Sequence, residues 1–261
     1  MLISFYAAPR ITARFYPVML RNLLVWRKLA IPSIVGNIAE PLITLVAFGY
    51  GLGSLVGQID NLPYVTYLAS GSIAVSCALA ATFEALYSAF SRMHVQKTWD
   101  SIMNAPIALD DIVFAEMLWA AFKSLFSVGA IMLVIVALNI SRAPTMLLAL
   151  PLLGFVGVTF ASIALVFNAL AKGYDFFTYY FTLMLTPMTF LSGVYFPIEQ
   201  MPDWLQAFAR VLPLTAAVDL VRPLMIGEMP ARWLAPLAIL VAYALGGYYL
   251  ALVLTRRRFF K

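Results

Sequence analysis

Four ionisable side chains fall inside long apolar stretches of this 261-residue chain: Glu40, Glu84, Glu116 and Lys123. Charge in a lipid-buried segment is costly, so such groups mark either a compensating pair or a path for ions or protons. At 1.5 Å of rise per helical residue, Glu40, Glu84 and Lys123 come out roughly 9 to 15 Å from the same boundary of the bilayer, which lets them meet. The spacing predicts that Lys123 pairs with Glu84, with Glu40 close by, because the stretches carrying Glu84 and Lys123 are consecutive and antiparallel. A structural ion pair is the simpler reading of such a cluster, and a transport role the sharper one. Glu116 lies nearer the interface and is expected to snorkel to water.

The second concentration of chemistry is the polar break at residues 91–111, SRMHVQKTWDSIMNAPIALDD. It holds Arg92, Lys97, Asp100, Asp110, Asp111 and the chain's one histidine, His94. It is too far from the next polar stretch to belong to a soluble domain, so it reads as a docking loop whose partner comes from elsewhere. No phosphate-binding loop Gly-x-x-x-x-Gly-Lys-Ser/Thr occurs, so the chain does not bind ATP by that device. A serine protease would need a base beside Ser192, whereas His94 is expected across the bilayer from it. No metal-ligand cluster is visible, and Cys77 alone makes neither an internal disulfide nor a zinc site. No catalytic residue is expected.

The elements that must position these groups follow from composition. The residues are 63% hydrophobic and 11% charged, with a mean hydropathy of +0.92, which excludes a soluble globular domain. Long unalternating apolar runs of about 20 residues choose helices over a barrel. The expected architecture is an all-α integral membrane fold, one domain over 1–261, with six transmembrane helices at 34–55, 64–90, 112–138, 146–170, 176–196 and 233–254. Lys and Arg divide 13 against 4 between the two sides of that topology, which makes both termini cytoplasmic. The net charge of +5 then needs no nucleic-acid partner, since topology and an anionic inner leaflet account for it. The N-terminus lacks a small-residue cleavage site after a proper apolar core, so no signal peptide is expected.

Three further segments carry expectations. Arg10, Arg14, Arg21 and Lys28, spaced by 4, 7 and 7, share one stripe if helical, beside a Trp- and Phe-rich face, so residues 10–29 read as an interfacial amphipathic helix. Gly49, Gly53 and Gly57 recur every four residues and suggest a close helix crossing. Residues 197–230 read as an outer re-entrant hairpin between the fifth and sixth spans. One short helix there is capped by Asp203 and stopped by Pro213, and a second runs over 215–221. Aromatic residues of the fifth span read as interfacial belts or, more sharply, as stacking platforms for sugar rings.

The segments VWRKLAIPSIVGNIAEPLITL, AATFEALYSAFSRMHVQKTWDSI, DIVFAEMLWAAFKS, YDFFTYYFTLMLTPMTFLSGVYFPIEQMP and LPLTAAVDLVRPLMIGE together resemble the membrane subunits of ABC-2 type exporters over essentially the whole length, most closely the nodulation-protein-J-like branch. The resemblance implies an inner-membrane permease subunit that dimerises and joins two copies of a separate ABC ATP-binding subunit, which carries the ATP and Mg. The chain itself would need no cofactor. It implies ATPase coupling through Thr98, Trp99 and Asp100, with Arg92 just before them, and buried charges at Glu84 and Lys123. It further implies an outer gate at Ser192, Gly193, Phe196 and Pro197, faced by Arg222. The implied substrate is a lipid-linked or lipid-modified oligosaccharide, a lipo-chitooligosaccharide on that branch. The alternatives are a proton-coupled secondary transporter using Glu40 and Glu84 and, more distantly, a membrane-embedded transferase or hydrolase.

Overall fold

The computed structural model describes residues 5–260, except for the side chains of Ile34, Val35, Asn37, Ile38, Glu40 and Pro41. The chain is nearly all helical. α1 (Phe15–Arg27) is followed by α2 (Ala30–Thr44), which runs through a π-helical stretch, Leu45–Leu52, into α3 (Gly53–Val56). A two-stranded hairpin, β1 (Gln58–Ile59) and β2 (Leu62–Pro63), leads into α4 (Tyr64–Phe83). α4 continues through two π-helical stretches, so its helical course extends from Tyr64 to Val95. Then come α5 (Thr98–Met103), α6 (Leu109–Ala137), α7 (Met146–Leu170) and α8 (Asp175–Tyr180), which passes through π-helical Phe181–Leu185 into α9 (Thr186–Leu191). The remainder is a 3-10 turn (Ile198–Gln200), α10 (Asp203–Ala209), α11 (Pro213–Ile226) and α12 (Leu234–Phe259).

Among the described residues, four helical courses are long and apolar enough to cross a membrane: Tyr64–Val95, Leu109–Ala137, Met146–Leu170 and Leu234–Phe259. The 29 residues of α6 span about 43 Å, more than the roughly 30 Å hydrocarbon thickness, which leaves its ends free to carry polar groups. The stretches expected as first and fifth spans are instead segmented by π-helical turns, and Leu42–Val56 is a shorter apolar helix.

α7 lies at the centre and packs on α12, α6 and α4, while α11 wedges against α4, α7 and α12. Close approach is bought with small residues. A Cβ on Gly157 of α7 would lie 2.7 Å from Ser124 Oγ and 3.0 Å from Ala121 Cα of α6, so that crossing admits hydrogen only. α1 packs across α6, with Phe15 edge-on to Phe114 at 5.1 Å.

Several local expectations change. Arg10 and Arg14 precede α1 and Lys28 caps its C-terminus, so the four-cation stripe is not one helical face; Pro17 sits in the first turn, where a missing N–H costs nothing. Gly49 does meet α4, its added Cβ falling 2.8 Å from Val65 Cγ2, but Gly57 has φ +74° and ends α3 as a turn residue rather than extending the glycine face. Pro202, not Asp203, occupies the cap of α10, which ends at Ala209 before Pro213 is reached. Pro213 opens α11, and that helix runs past Pro223 to Ile226.

Candidate functional site

α4, α5 and α6 bring four charges and two indoles into one buried network. Glu84 Oε2 lies 2.6 Å from Lys123 Nζ, and Glu84 Oε1 lies 2.9 Å from Arg92 Nη2. Arg92 forks onto Glu116, Nε donating to Oε1 at 2.9 Å and Nη2 to Oε2 at 2.5 Å. The indole N–H of Trp119 donates to Glu84 at 2.8 Å, and that of Trp99 to Glu116 at 3.1 Å. The two carboxylates are 3% and 1% exposed, so each needs this full set of donors to offset its lost hydration. Local structure makes the set: Glu116, Trp119 and Lys123 are spaced three and seven apart on one face of α6. Arg92 reaches back because α4 stays helical to Val95.

The network includes the expected pair of Glu84 with Lys123. Glu40 belongs to α2, but its side chain lies outside the described residues. Glu116 does not snorkel: Arg92 and Trp99 close over it and seal it from water. Nor is Arg92 a surface contact, its side chain being 13% exposed. Trp99 is 1% exposed and stacks on Phe259 with ring centroids 6.1 Å apart. Of the four residues expected at a partner's surface, only Asp100 is exposed, and Thr98 is half-buried. Asp100 borders a surface hollow with His94, Lys97, Arg258 and Phe259.

The acidic end of the polar break has a different use. Asp110 and Asp111 sit in the first turn of α6, where the helix dipole favours negative charge. Asp110 accepts from Arg256 Nε at 3.0 Å and Nη2 at 2.5 Å, and from the backbone N–H of Arg10 at 2.9 Å. Asp111 accepts from the backbone N–H and the hydroxyl of Thr12 at 2.7 and 2.9 Å, while Arg256 also donates to Ala7 O at 2.6 Å. The start of the chain, α6 and the end of α12 are therefore tied together. Sequence reasoning missed this clamp because it counted Arg256 only as topological charge. The signal was Asp-Asp at a helix start, which calls for donors.

At the opposite end of α4, the carbonyl of Gly193 is the hub. It accepts from Tyr67 Oη at 2.8 Å and from Arg222 Nη2 at 2.6 Å, and Arg222 also donates to Ser70 Oγ at 3.1 Å. The Arg222 guanidinium carbon lies 3.9 Å from the Tyr67 ring centroid, a cation–π contact. Gly193 has φ +70° and an added Cβ would fall 3.1 Å from Ile198 Cγ1, so a side chain there is strained twice. Ser192 and Pro197 are buried beside it and Phe196 half-buried. The structure thus brings Gly193 and Arg222 together and adds Tyr67 and Ser70, which the sequence reading lacked.

The aromatic residues of the fifth stretch divide. Phe177 and Tyr180 are buried in the bundle, Tyr179 is exposed, and Tyr174 stacks on Tyr87 of α4 at 6.0 Å. A cavity of about 390 Å³ opens beside that stack, between α1, the Arg92 end of the α4 course and α6, with Arg21, Arg92 and Lys123 in its wall. Among the described residues no group of three or more His, Cys, Asp or Glu could hold a metal ion.

The profile of the ABC-2 type transporter family matches residues 18–226. The chain is 42% identical to Nodulation protein J of Sinorhizobium fredii over 238 residues, 91% of each chain. It is 40% identical to Nodulation protein J of Rhizobium leguminosarum bv. trifolii over 255 residues, covering 98% of this chain and 97% of the other. A more distant similarity, 23% over 230 residues and 85% and 88% of the two chains, links it to the inner membrane transport permease YadH of Escherichia coli. The family match over most of the chain and these identities lead to one conclusion: the chain belongs to the ABC-2 type transporter family.

Proposed function

We propose that the chain is the permease subunit of an ATP-driven exporter, acting as a homodimer with two copies of a separate ATP-binding subunit that binds ATP and Mg. It sits in a bacterial inner membrane with both termini cytoplasmic. Six crossings are completed by the α2–α3 run and the α8–α9 run, and α10 and α11 form the re-entrant outer hairpin. The cargo is a lipid-linked or lipid-modified oligosaccharide, a lipo-chitooligosaccharide on the branch that the resemblance implies.

The observation that carries the reading is Trp99. It sits on the short helix α5 beside exposed Asp100, and its indole bonds Glu116 inside the charge network. A partner pressing on Asp100 and the hollow around it would move Trp99 and, through Glu116 and Arg92, bias how α4 packs on α6, a differential contact of the kind that shifts a two-state equilibrium. The outer lock of Gly193, Tyr67 and Arg222 is then the element that opens. A proton-coupled mechanism fits less well, because Glu84 already accepts from Lys123, Arg92 and Trp119 and has no need of a proton.

The test is co-purification and coupled turnover with a candidate ABC ATP-binding subunit from the same genome. Asp100→Ala should weaken capture of the ATPase. Trp99→Phe, which keeps the ring and removes the N–H, should keep capture but lower ATPase-driven export. Undiminished coupled export in both variants would sink the assignment of this loop.

A further inference from the structure

α4 does not enter the charge network as a plain α-helix. The N–H of Ala89 reaches back five residues to Glu84 O, and that of Gln96 reaches Ser91 O at 2.8 Å. These are the bonds of π turns, over Glu84–Ser88 and Ser91–Val95. A π turn takes in one residue more than an α turn and is found mostly at working parts of a protein. Its effect here is on position. In an unbroken α-helix Arg92, eight residues on from Glu84, would stand about 80° round from it. Each wider turn takes up a residue without the matching advance, which brings Arg92 back to the face of Glu84, where it bonds both Glu84 and Glu116.

Asn168, near the end of α7, meets the first of these turns. Its Nδ2 donates to Ala85 O at 2.8 Å and to Leu86 O at 3.2 Å. Both acceptors are carbonyls, so the amide nitrogen is the end that faces them. Asn168 is 1% exposed, and a side chain inserted into a helix's own ladder is a cause of such breaks. The end of α7 from which it projects is itself fixed, because Arg258 Nη1 of α12 donates to Ala171 O at 2.6 Å and to Ala169 O at 3.2 Å.

We propose that Asn168 is a positioning residue: it holds α4 in its π register over Glu84–Ser88 and thereby places Arg92 on the two buried carboxylates. Without the amide, the carbonyls of this stretch are satisfied by closing to α turns, and the residues beyond it advance by one position, about 100° round the axis. The part of α4 before the turn is locked in the core, with Leu68, Ile73, Ala74 and Ala81 at 0% exposure. The rotation therefore falls on the part that leads to α5. Ser88 takes the place of Ala89, Met93 takes the place of His94, and Arg92 turns away from Glu84. The inference rests on the export reading only for the use of this movement, which would link α5 to the charge network.

The test times the labelling of single cysteines by a water-soluble maleimide, in the full chain in maltoside micelles with Cys77→Ser. The cysteine is placed by Ser88→Cys, at a half-buried position, by Met93→Cys, at a position 3% exposed, or by His94→Cys, at an exposed one. Asn168→Leu is close to asparagine in size and has no N–H to give. In that variant labelling should rise about tenfold at Met93→Cys and fall by a similar factor at Ser88→Cys, since the loss of such a hydrogen bond moves a two-state equilibrium that far. His94→Cys, which moves to the place of exposed Val95, should label fast throughout. If Asn168→Leu does not fold, Asn168→Ser, too short to reach the two carbonyls, is read the same way. Faster labelling at both Ser88→Cys and Met93→Cys would report loosening without a change of register and overturns the proposal, as does an unchanged pattern. The labelling needs no ATPase, so its failure refutes the register alone. The opposed changes together with undiminished ATPase-driven export in the same variant would refute only the use of the register in export.

Discussion

Arg92 and Glu116 stand 24 positions apart, on different helices, and meet through two hydrogen bonds of 2.9 and 2.5 Å. The fork makes Arg92 the only group among the described residues that touches both buried carboxylates, since its Nη2 is also 2.9 Å from Glu84. Replacing it with alanine leaves Glu116 with a single indole donor and Glu84 with Lys123 and Trp119. Breaking a buried pair from one side costs about 3–5 kcal/mol, so Arg92→Ala should fall near the upper end. Arg92→Lys should recover only part, because an ammonium cannot fork onto one carboxylate and reach the other. Thermal unfolding of the purified chain ranks the two; equal stability of Arg92→Lys and the parent would show that the fork is not needed.

The pair of Glu84 and Lys123 invites a charge swap, and its geometry says the swap fails. A lysine at 84 would sit beside Arg92 Nη2, which now bonds the carboxylate there, and like charges at that range repel. The double variant Glu84→Lys, Lys123→Glu should therefore be no more stable than Lys123→Gln alone, which leaves Glu84 with Arg92 and Trp119. If the swapped protein recovers parental yield and melting temperature, Arg92 does not hold Glu84 as described.

The Gly193 cluster gives two graded substitutions. Gly193→Ala adds a Cβ at φ +70°, 3.1 Å from Ile198, and should cost about 1–3 kcal/mol in strain. Tyr67→Phe removes one of two donors to the same carbonyl and leaves Arg222 in place, about 1 kcal/mol. Hydrogen exchange over residues 192–201 reads both, with faster exchange in Gly193→Ala than in Tyr67→Phe.

What the sequence made legible follows the range of the interactions involved. The pairing of Glu84 with Lys123 could be read because both lie at one depth on consecutive helices. Membership of the family was readable from five segments. Glu116 was misjudged, since its burial depends on Arg92 folding back from a helix that runs five residues further than its apolar stretch. Trp99 looked like an exposed contact because its neighbours are polar; its bond to Glu116 and its stacking on Phe259, both distant in sequence, make it core.

The clamp at the start of α6 separates two kinds of fastening. Asp110 faces Arg256 and the Arg10 N–H, whereas Asp111 faces Thr12 through both its backbone and its hydroxyl. Asp111→Asn keeps one acceptor oxygen and should loosen only the segment before α1; Asp110→Asn also strands the Arg256 guanidinium, which is 6% exposed, and should lower global stability by several kcal/mol. The expected outcome is a split readout. Limited proteolysis near Arg10 and Arg14 accelerates in Asp111→Asn with little change in melting temperature, while Asp110→Asn shows both effects. A melting temperature that falls as far in Asp111→Asn as in Asp110→Asn would mean that the start of the chain is part of the core rather than strapped onto it.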